Sequence, residues 1–188
     1  FTFSWMDTTA KQIHLGDGRT YRYIHQSATT DFWTGKPKEA YYELEDCPTE
    51  DLVLALDETF SNGAAISNCS LTYGDGRKEY FSGKNLIGIQ DRYGNTITLV
   101  HETENNLPKI TITDTLNRVV VISGQTISGE EDRITVSLPE QSSFSYTIAK
   151  NTDWRALAAY TDRNGKTASY SYKRERAAVD FEIDENSI

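Results

Sequence analysis

The histidines and the clustered acids are the side chains of this sequence with the most obvious capacity for chemistry. The three histidines, His14, His25 and His101, are not spaced as a metal-binding pair on one helical face. Paired carboxylates about 5 to 10 Å apart would suit glycoside hydrolysis, and the acids available for such a pair are Glu43, Glu45, Asp46, Glu50 and Asp51. A solvated acidic sheet edge is the simpler interpretation, because charges on an edge strand discourage aggregation.

Other features of the sequence also point away from catalysis. The run from Asp162 to Gly165 resembles the start of a calcium loop, but Lys173 stands where the bidentate glutamate belongs. Cys47 and Cys69 either form a disulfide or remain two thiols, and the sequence leaves both open. No phosphate loop, dinucleotide fingerprint or nucleophile elbow is present. The sequence therefore predicts a protein that is not an enzyme and that needs no metal and no cofactor.

The aromatic side chains are the remaining candidates for a binding role. The chain has 11 tyrosines and 3 tryptophans, and exposed rings of this kind stack on sugars. Most of the tyrosines follow strand periodicity, which favours a place in the core. Trp33 lies in a polar stretch beside Gly35, so it is the candidate contact for a glycan.

The elements that would position these residues are β-strands in a repeating pattern. Alternating strands flank acidic turns at Asp91, Asp114 and Asp162, which are separated by 23 and 48 residues. The second interval is close to two periods, so a further turn is expected near position 138, where Leu138-Pro139 replaces the aspartate. A fixed period of this length is typical of repeat architectures. The residues that define the turns are Asp91, Gly94, Asn95, Asp114, Asn117, Arg118, Asp162 and Gly165.

Composition supports an all-β chain with little core. Only 37% of the 188 residues are hydrophobic, and the net charge is −9 without a strongly basic cluster, which argues against binding to nucleic acid. No apolar run approaches the roughly 18 residues that span a bilayer, so no membrane insertion is expected. We predict antiparallel β-hairpin repeats that form one extended, twisted sheet. An irregular β-region over 1–84 would precede the hairpin repeats of 85–188. The alternative is that both regions form one continuous β-domain.

One segment fits two kinds of element. Pro48 and the acids that follow it favour a short helix. The alternation of Leu52, Leu54 and Leu56 favours a strand. We expect the strand, because the neighbouring segments are β.

The repeated turns resemble the RHS/YD-repeat family. The stretch from Asp91 to Leu99 and the stretch from Asp162 to Tyr172 match its turn and outgoing strand, and Asp114 to Arg118 carries Asn117 in place of glycine. The Gly-Asp-Gly-Arg turn at 74–77 looks like the segment that precedes such repeats, and the one at 16–19 looks like a further copy. The Tyr-Asp pair that names the repeat is absent, and so is the family's self-cleaving C-terminal core.

The resemblance implies an architectural role. It would make this chain a non-enzymatic segment of a bacterial surface or secreted protein, part of a β-shell that encloses or presents a C-terminal toxin or effector. Its partners would be neighbouring repeats of the same parent chain, with a toxin domain or glycans as further partners. The alternative function is a carbohydrate-binding or cell-adhesion β-module.

Overall fold

The structure is a computed structural model that describes residues 3–26, 41–47, 51–150 and 155–172. Within these ranges the chain forms fifteen strands, each antiparallel to the next, in a single sheet that follows chain order. The first eight are β1 (Trp5–Asp7), β2 (Gln12–His14), β3 (Thr20–Gln26), β4 (Tyr41–Leu44), β5 (Leu52–Leu56), β6 (Cys69–Tyr73), β7 (Lys78–Ser82) and β8 (Asn85–Gln90). The other seven are β9 (Thr96–Glu104), β10 (Leu107–Asp114), β11 (Val119–Thr126), β12 (Glu131–Ser137), β13 (Ser143–Lys150), β14 (Arg155–Thr161) and β15 (Thr167–Ser169).

Strands β1 to β8 form a closed barrel. Trp5 in β1 pairs with Asn85 in β8, and the Met6 N–H donates to the Lys84 carbonyl at 3.1 Å. The expectation of an extended sheet throughout is therefore wrong for this half of the chain, although the all-β, antiparallel class is confirmed. Closure abolishes the free edges that an open sheet would leave.

The barrel contains the main core of the described residues. Alternate side chains of each strand point inward, so Leu54 and Leu71 face each other across the β5–β6 pair, and both are fully buried. A bulge in the β7–β8 pairing follows Tyr80 and bends the strands, as bulges do where barrels close. The buried core cluster comprises Met6, Ile13, Leu15, Tyr21, Tyr23, Leu54, Cys69, Leu71, Phe81, Leu86 and Leu99.

The sheet divides within β8. The start of β8 pairs with β1, whereas its end, from Gly88 to Gln90, pairs with β9. From there strands β9 to β15 continue as a single layer, which we call the strip. Its strands pair only with the strands that precede and follow them in the chain. Beyond Leu99 no described residue of the strip is fully buried.

The strip has one apolar face and one polar face. The register places Ile110 opposite Ile122, and Ile122 opposite Val136, on the same side of the sheet. The apolar face carries Ile97, Leu99, Ile110, Ile112, Val120, Ile122, Ile134, Val136, Phe144, Tyr146, Ile148 and Tyr160. The opposite face is rich in threonine and serine, for example Thr111, Ser123 and Thr135. This division is typical of an antiparallel sheet with one solvated face.

Several other expectations concern single segments and side chains. Leu52–Leu56 is a strand, as predicted. Cys47 and Cys69 are not joined in a disulfide. Trp33, Glu50 and Lys173 lie outside the described residues. In the part of the chain that the structure describes, no helix is long and apolar enough to cross a bilayer.

Candidate functional site

Six hairpin turns in the described residues share one backbone geometry. In each turn the first residue's N–H donates to the carbonyl four residues later, and the fourth residue has a φ between 58° and 92°. This is the three-residue hairpin loop in which a type I turn ends in a left-handed residue. The first residues are Leu15, Tyr73, Asp91, Asp114, Leu138 and Asp162, and the left-handed ones are Gly18, Gly76, Gly94, Asn117, Gln141 and Gly165.

The turn aspartates hold their loops by accepting backbone hydrogen bonds. Asp91 Oδ1 accepts from the N–H groups of Tyr93 and Asn95 at 2.8 and 2.9 Å. Asp114 accepts in the same way from Leu116 and Arg118 at 2.9 and 3.0 Å. A short polar side chain that bonds its own turn is the physical reason for aspartate at this position.

The side chain that ends each turn adds a second contact. Asn95 Nδ2 donates to Asp91 Oδ2 at 2.7 Å, and Arg118 Nε donates to Asp114 Oδ2 at 2.7 Å. These side-chain bonds are the main reason that the pKa values of Asp91 and Asp114 lie below their usual value of 3.8. Asp162 bonds the backbone of Asn164 and Lys166 alike, at 2.9 and 2.8 Å. Both bonds are accepted by Oδ1, which makes Asp162 a turn residue.

The two Gly-Asp-Gly-Arg turns have the same backbone with the aspartate moved two positions along. Asp17 and Asp75 each accept from the N–H of the arginine that ends their turn, Arg19 at 3.0 Å and Arg77 at 2.9 Å. The Leu138 turn has no aspartate but keeps the left-handed residue, Gln141. What recurs is therefore the left-handed fourth residue, and the aspartate is an accessory to it.

Four of these turns lie along one edge of the strip and its junction with the barrel. They join β8 to β9, β10 to β11, β12 to β13 and β14 to β15, so successive turns are two strands, roughly 10 Å, apart. Their first residues are separated by 23, 24 and 24 positions. Tyr93 and Leu116 project from this edge and are both 73% exposed. We call this row the turn edge.

The junction between barrel and strip is held by two side chains. Where β8 turns away to meet β1, the Asn62 side chain donates to the Leu99 carbonyl at 2.6 Å. On the strip, His101 Nε2 donates to the Leu86 carbonyl at 2.7 Å. His101 therefore has a structural partner. His14 has one as well, since it stacks on Trp5 with ring centroids 4.0 Å apart.

A buried ionic group lies at one end of the barrel interior. The Glu79 side chain is buried and forms an ion pair with Arg77 at 3.1 Å, and the Arg77 guanidinium lies 3.7 Å above the Tyr73 ring. Burial, and then the charge of Glu79, raise the pKa of Tyr73 well above its usual value. Glu79 Oε2 has no hydrogen-bond partner among the described residues. In the sequence, the only sign of this group is that residues 77 and 79 share a strand face with Phe81.

Two of the clustered acids within the described residues have structural contacts. Glu45 forms an ion pair with Arg22 at 3.5 Å, and Asp51 lies against Gly74 in a shallow cleft that also contains Arg19 and Asp75. In the described ranges no group of three or more His, Cys, Asp or Glu side chains is arranged to hold a metal ion. Together, the polar contacts described above stabilise backbone turns and strand pairing.

Comparison of the chain with protein-family models, with curated proteins and with solved structures found no match.

Proposed function

We propose that this chain is a non-enzymatic structural segment of a bacterial RHS/YD-repeat surface or secreted protein. In this proposal the strip is one stretch of a longer hairpin array, which forms a β-shell around, or a support for, a C-terminal toxin or effector. The barrel precedes the array. The partners of the strip are neighbouring repeats of the same parent chain.

The observation that carries the proposal is the recurrence of one turn at a constant interval. The turns at Asp91, Asp114, Leu138 and Asp162 share the same backbone hydrogen bond although Leu138 departs from the aspartate template. A backbone geometry that persists while its sequence decays supports descent from a repeated unit over chance similarity between hairpins. Repeat units of this kind stabilise each other through nearest neighbours.

The single-layer form of the strip supports the same proposal. A lone hairpin is marginal in water, and here the apolar face from Ile97 to Tyr160 is only partly buried, apart from Leu99. Such a face suits a wall that is completed by other parts of a longer chain.

The parent reading frame tests this proposal. We expect further copies of the 23- to 24-residue hairpin after Ile188, followed by a C-terminal domain unrelated to the repeats. A frame that continues instead into a catalytic domain, with no further hairpins, would contradict it. An experimental structure of the parent protein would then check that the strip runs into those hairpins as one sheet.

A carbohydrate-binding or adhesion module is the second candidate, and one observation favours it. Phe144, Tyr146 and Tyr160 form a cluster on the apolar face, with ring centroids 5.3 to 6.2 Å apart. Rings on a flat, half-exposed sheet can stack on sugars. We expect binding on a glycan array to be lost in Tyr146→Ala and Tyr160→Ala and kept in Tyr93→Ala, whose ring lies on the turn edge. Absence of binding by the unmodified chain would eliminate this candidate.

A further inference from the structure

The barrel has a cleft at one mouth that the structural role does not use. The cleft has a volume of about 450 Å³, within the range of roughly 300 to 1,000 Å³ that is common for small-ligand sites. It opens where β1 and β3 end and β6 begins. Its lining comprises Met6, Thr8, Lys11, Arg22, Tyr23, Ile24, Tyr42, Asn68, Cys69 and Gly83. Mouths of β-barrels are frequent places for small ligands, because an eight-stranded barrel leaves little space elsewhere.

The floor of the cleft is apolar. Met6 and Cys69 are both buried, with their sulfur atoms 3.2 Å apart. Tyr23 packs edge-on against Tyr42 with ring centroids 5.2 Å apart. Burial raises the pKa of the Cys69 thiol to about 12, so the thiol is neutral at physiological pH. Two sulfur atoms and two aromatic rings offer polarisable surface to an apolar group.

The rim of the cleft carries positive charge. Lys11 and Arg22 are its charged residues, and no acid is among the described residues that line it. This is notable in a chain with 28 acidic and only 19 basic residues. Arg22 has an exposed side chain and forms an ion pair with Glu45 at 3.5 Å, while Asp7, the acid nearest in sequence to Met6, bonds the N–H groups of Thr9 and Ala10. The lining is thus apolar below and cationic at the entrance.

We propose that this cleft binds a small amphipathic anion, an apolar chain or ring that bears one carboxylate or sulfonate. The apolar part lies on Met6, Tyr23 and Cys69, and the acid group lies between Lys11 and Arg22. This site goes beyond the proposed structural function and does not depend on it, since it uses only the barrel. The two proposals are therefore independent, and evidence against one is not evidence against the other.

Isothermal titration with sodium decanoate tests the site, with decyltrimethylammonium as the probe of equal tail and opposite charge. We expect saturable 1:1 binding of decanoate and markedly weaker binding of the cation. Lys11→Glu and Arg22→Glu should each weaken decanoate binding roughly five-fold, as expected for exposed charges. Arg163→Glu makes the same charge change on a strip turn and should leave binding unaltered.

A rim-filling variant provides the second arm. Ile24→Trp places a large ring at the mouth on a side chain that is already 42% exposed, and it should abolish decanoate binding. Val53→Trp is the matched control, because Val53 lies on the same barrel, is 52% exposed and does not line the cleft. Equal binding of both probes, no saturable decanoate binding, or full binding by Ile24→Trp would overturn the proposal. If circular dichroism shows Ile24→Trp to be unfolded, decanoate binding by Lys11→Glu and Arg22→Glu decides whether the proposal holds.

Discussion

At the scale of single residues, the fold depends on backbone conformation at the fourth position of each turn. Gly94 and Gly165 occupy it with φ values of 89° and 79°, which residues with a Cβ adopt only at a cost. Asn117 occupies the equivalent position at 60°, and asparagine tolerates this region better than most residues. The template is therefore a conformational requirement that several residue types can meet.

Replacing Gly94 with alanine should destabilise the chain by about 1 kcal/mol, the usual penalty for a Cβ in the left-handed region. The space is open, since nothing lies within 4 Å of the added Cβ, so the effect would be conformational and not steric. Gly129→Ala is the control, because its site is equally open but its φ is not left-handed. Chemical denaturation of both variants is the measurement, and equal free energies of unfolding would refute this view of the turn.

The charge on Asp114 should contribute to stability in a pH-dependent way. Its pKa in the folded chain lies below 3.8, first because of the Arg118 side-chain bond and then because of the backbone bond to the same residue. The contribution is therefore complete above that value and disappears as pH falls through the lower folded pKa. Asp114→Asn should lower the thermal midpoint near pH 6 and approach the unmodified chain near pH 2. A difference that stays constant across this range would contradict the assignment.

At the scale of elements, the outside of the barrel depends on a close contact between β8 and the segment that precedes β6. The Phe60 ring stacks on Tyr80 with centroids 4.4 Å apart and covers Gly88, where an added Cβ would meet the ring at 2.2 Å. Only glycine fits beneath this ring. The contact anchors the segment whose Asn62 bonds the Leu99 carbonyl at the junction.

Gly88→Ala should therefore displace Phe60 and cost about 1 to 3 kcal/mol, as overpacking generally does. In a Phe60→Ala background the same substitution should be nearly neutral, because the clash is gone. A double-mutant cycle measured by denaturation gives the coupling between the two sites. Additive effects of the two changes would show that the ring does not rest on Gly88.

Local features of the sequence predicted these elements well. Alternation in β10 and β11 and the Asp-to-Gly/Asn turns depend on residues only a few positions apart, so the strands, the two faces and the turn near 138 could be derived. The buried Glu79 could not, because a glutamate in a strand gives no sign of whether its face points to solvent or to a barrel interior. Asn62 was missed for a similar reason, since its partner Leu99 lies 37 residues away.

At the scale of the whole molecule, closure of the barrel divides one β-meander into two parts that differ in how they bury apolar side chains. Strands β1 to β8 bury a core by curving onto themselves, and Leu99, Ile110 and Ile112 of β9 and β10 pack on that core. Strands β11 to β15 remain a single layer. The sequence did not reveal closure because it depends on a pairing between Trp5 and Asn85, which are 80 positions apart. Alternation sets which side chains share a face and does not specify the strand on which a sheet closes.

A designed disulfide between β1 and β8 tests this architecture most directly. Trp5 and Asn85 face each other in an antiparallel pair, where Cα atoms are about 4.5 to 5.5 Å apart, within the range that a disulfide spans. In an open meander the same strands would be about 33 Å apart. Trp5→Cys/Asn85→Cys should therefore oxidise to an intramolecular disulfide that peptide mapping locates, and Trp5→Cys/Ser143→Cys should not. The division into a closed barrel and a strip would be contradicted if Trp5→Cys/Asn85→Cys stayed reduced in the folded monomer. It would also be contradicted if Trp5→Cys/Ser143→Cys formed its disulfide equally well.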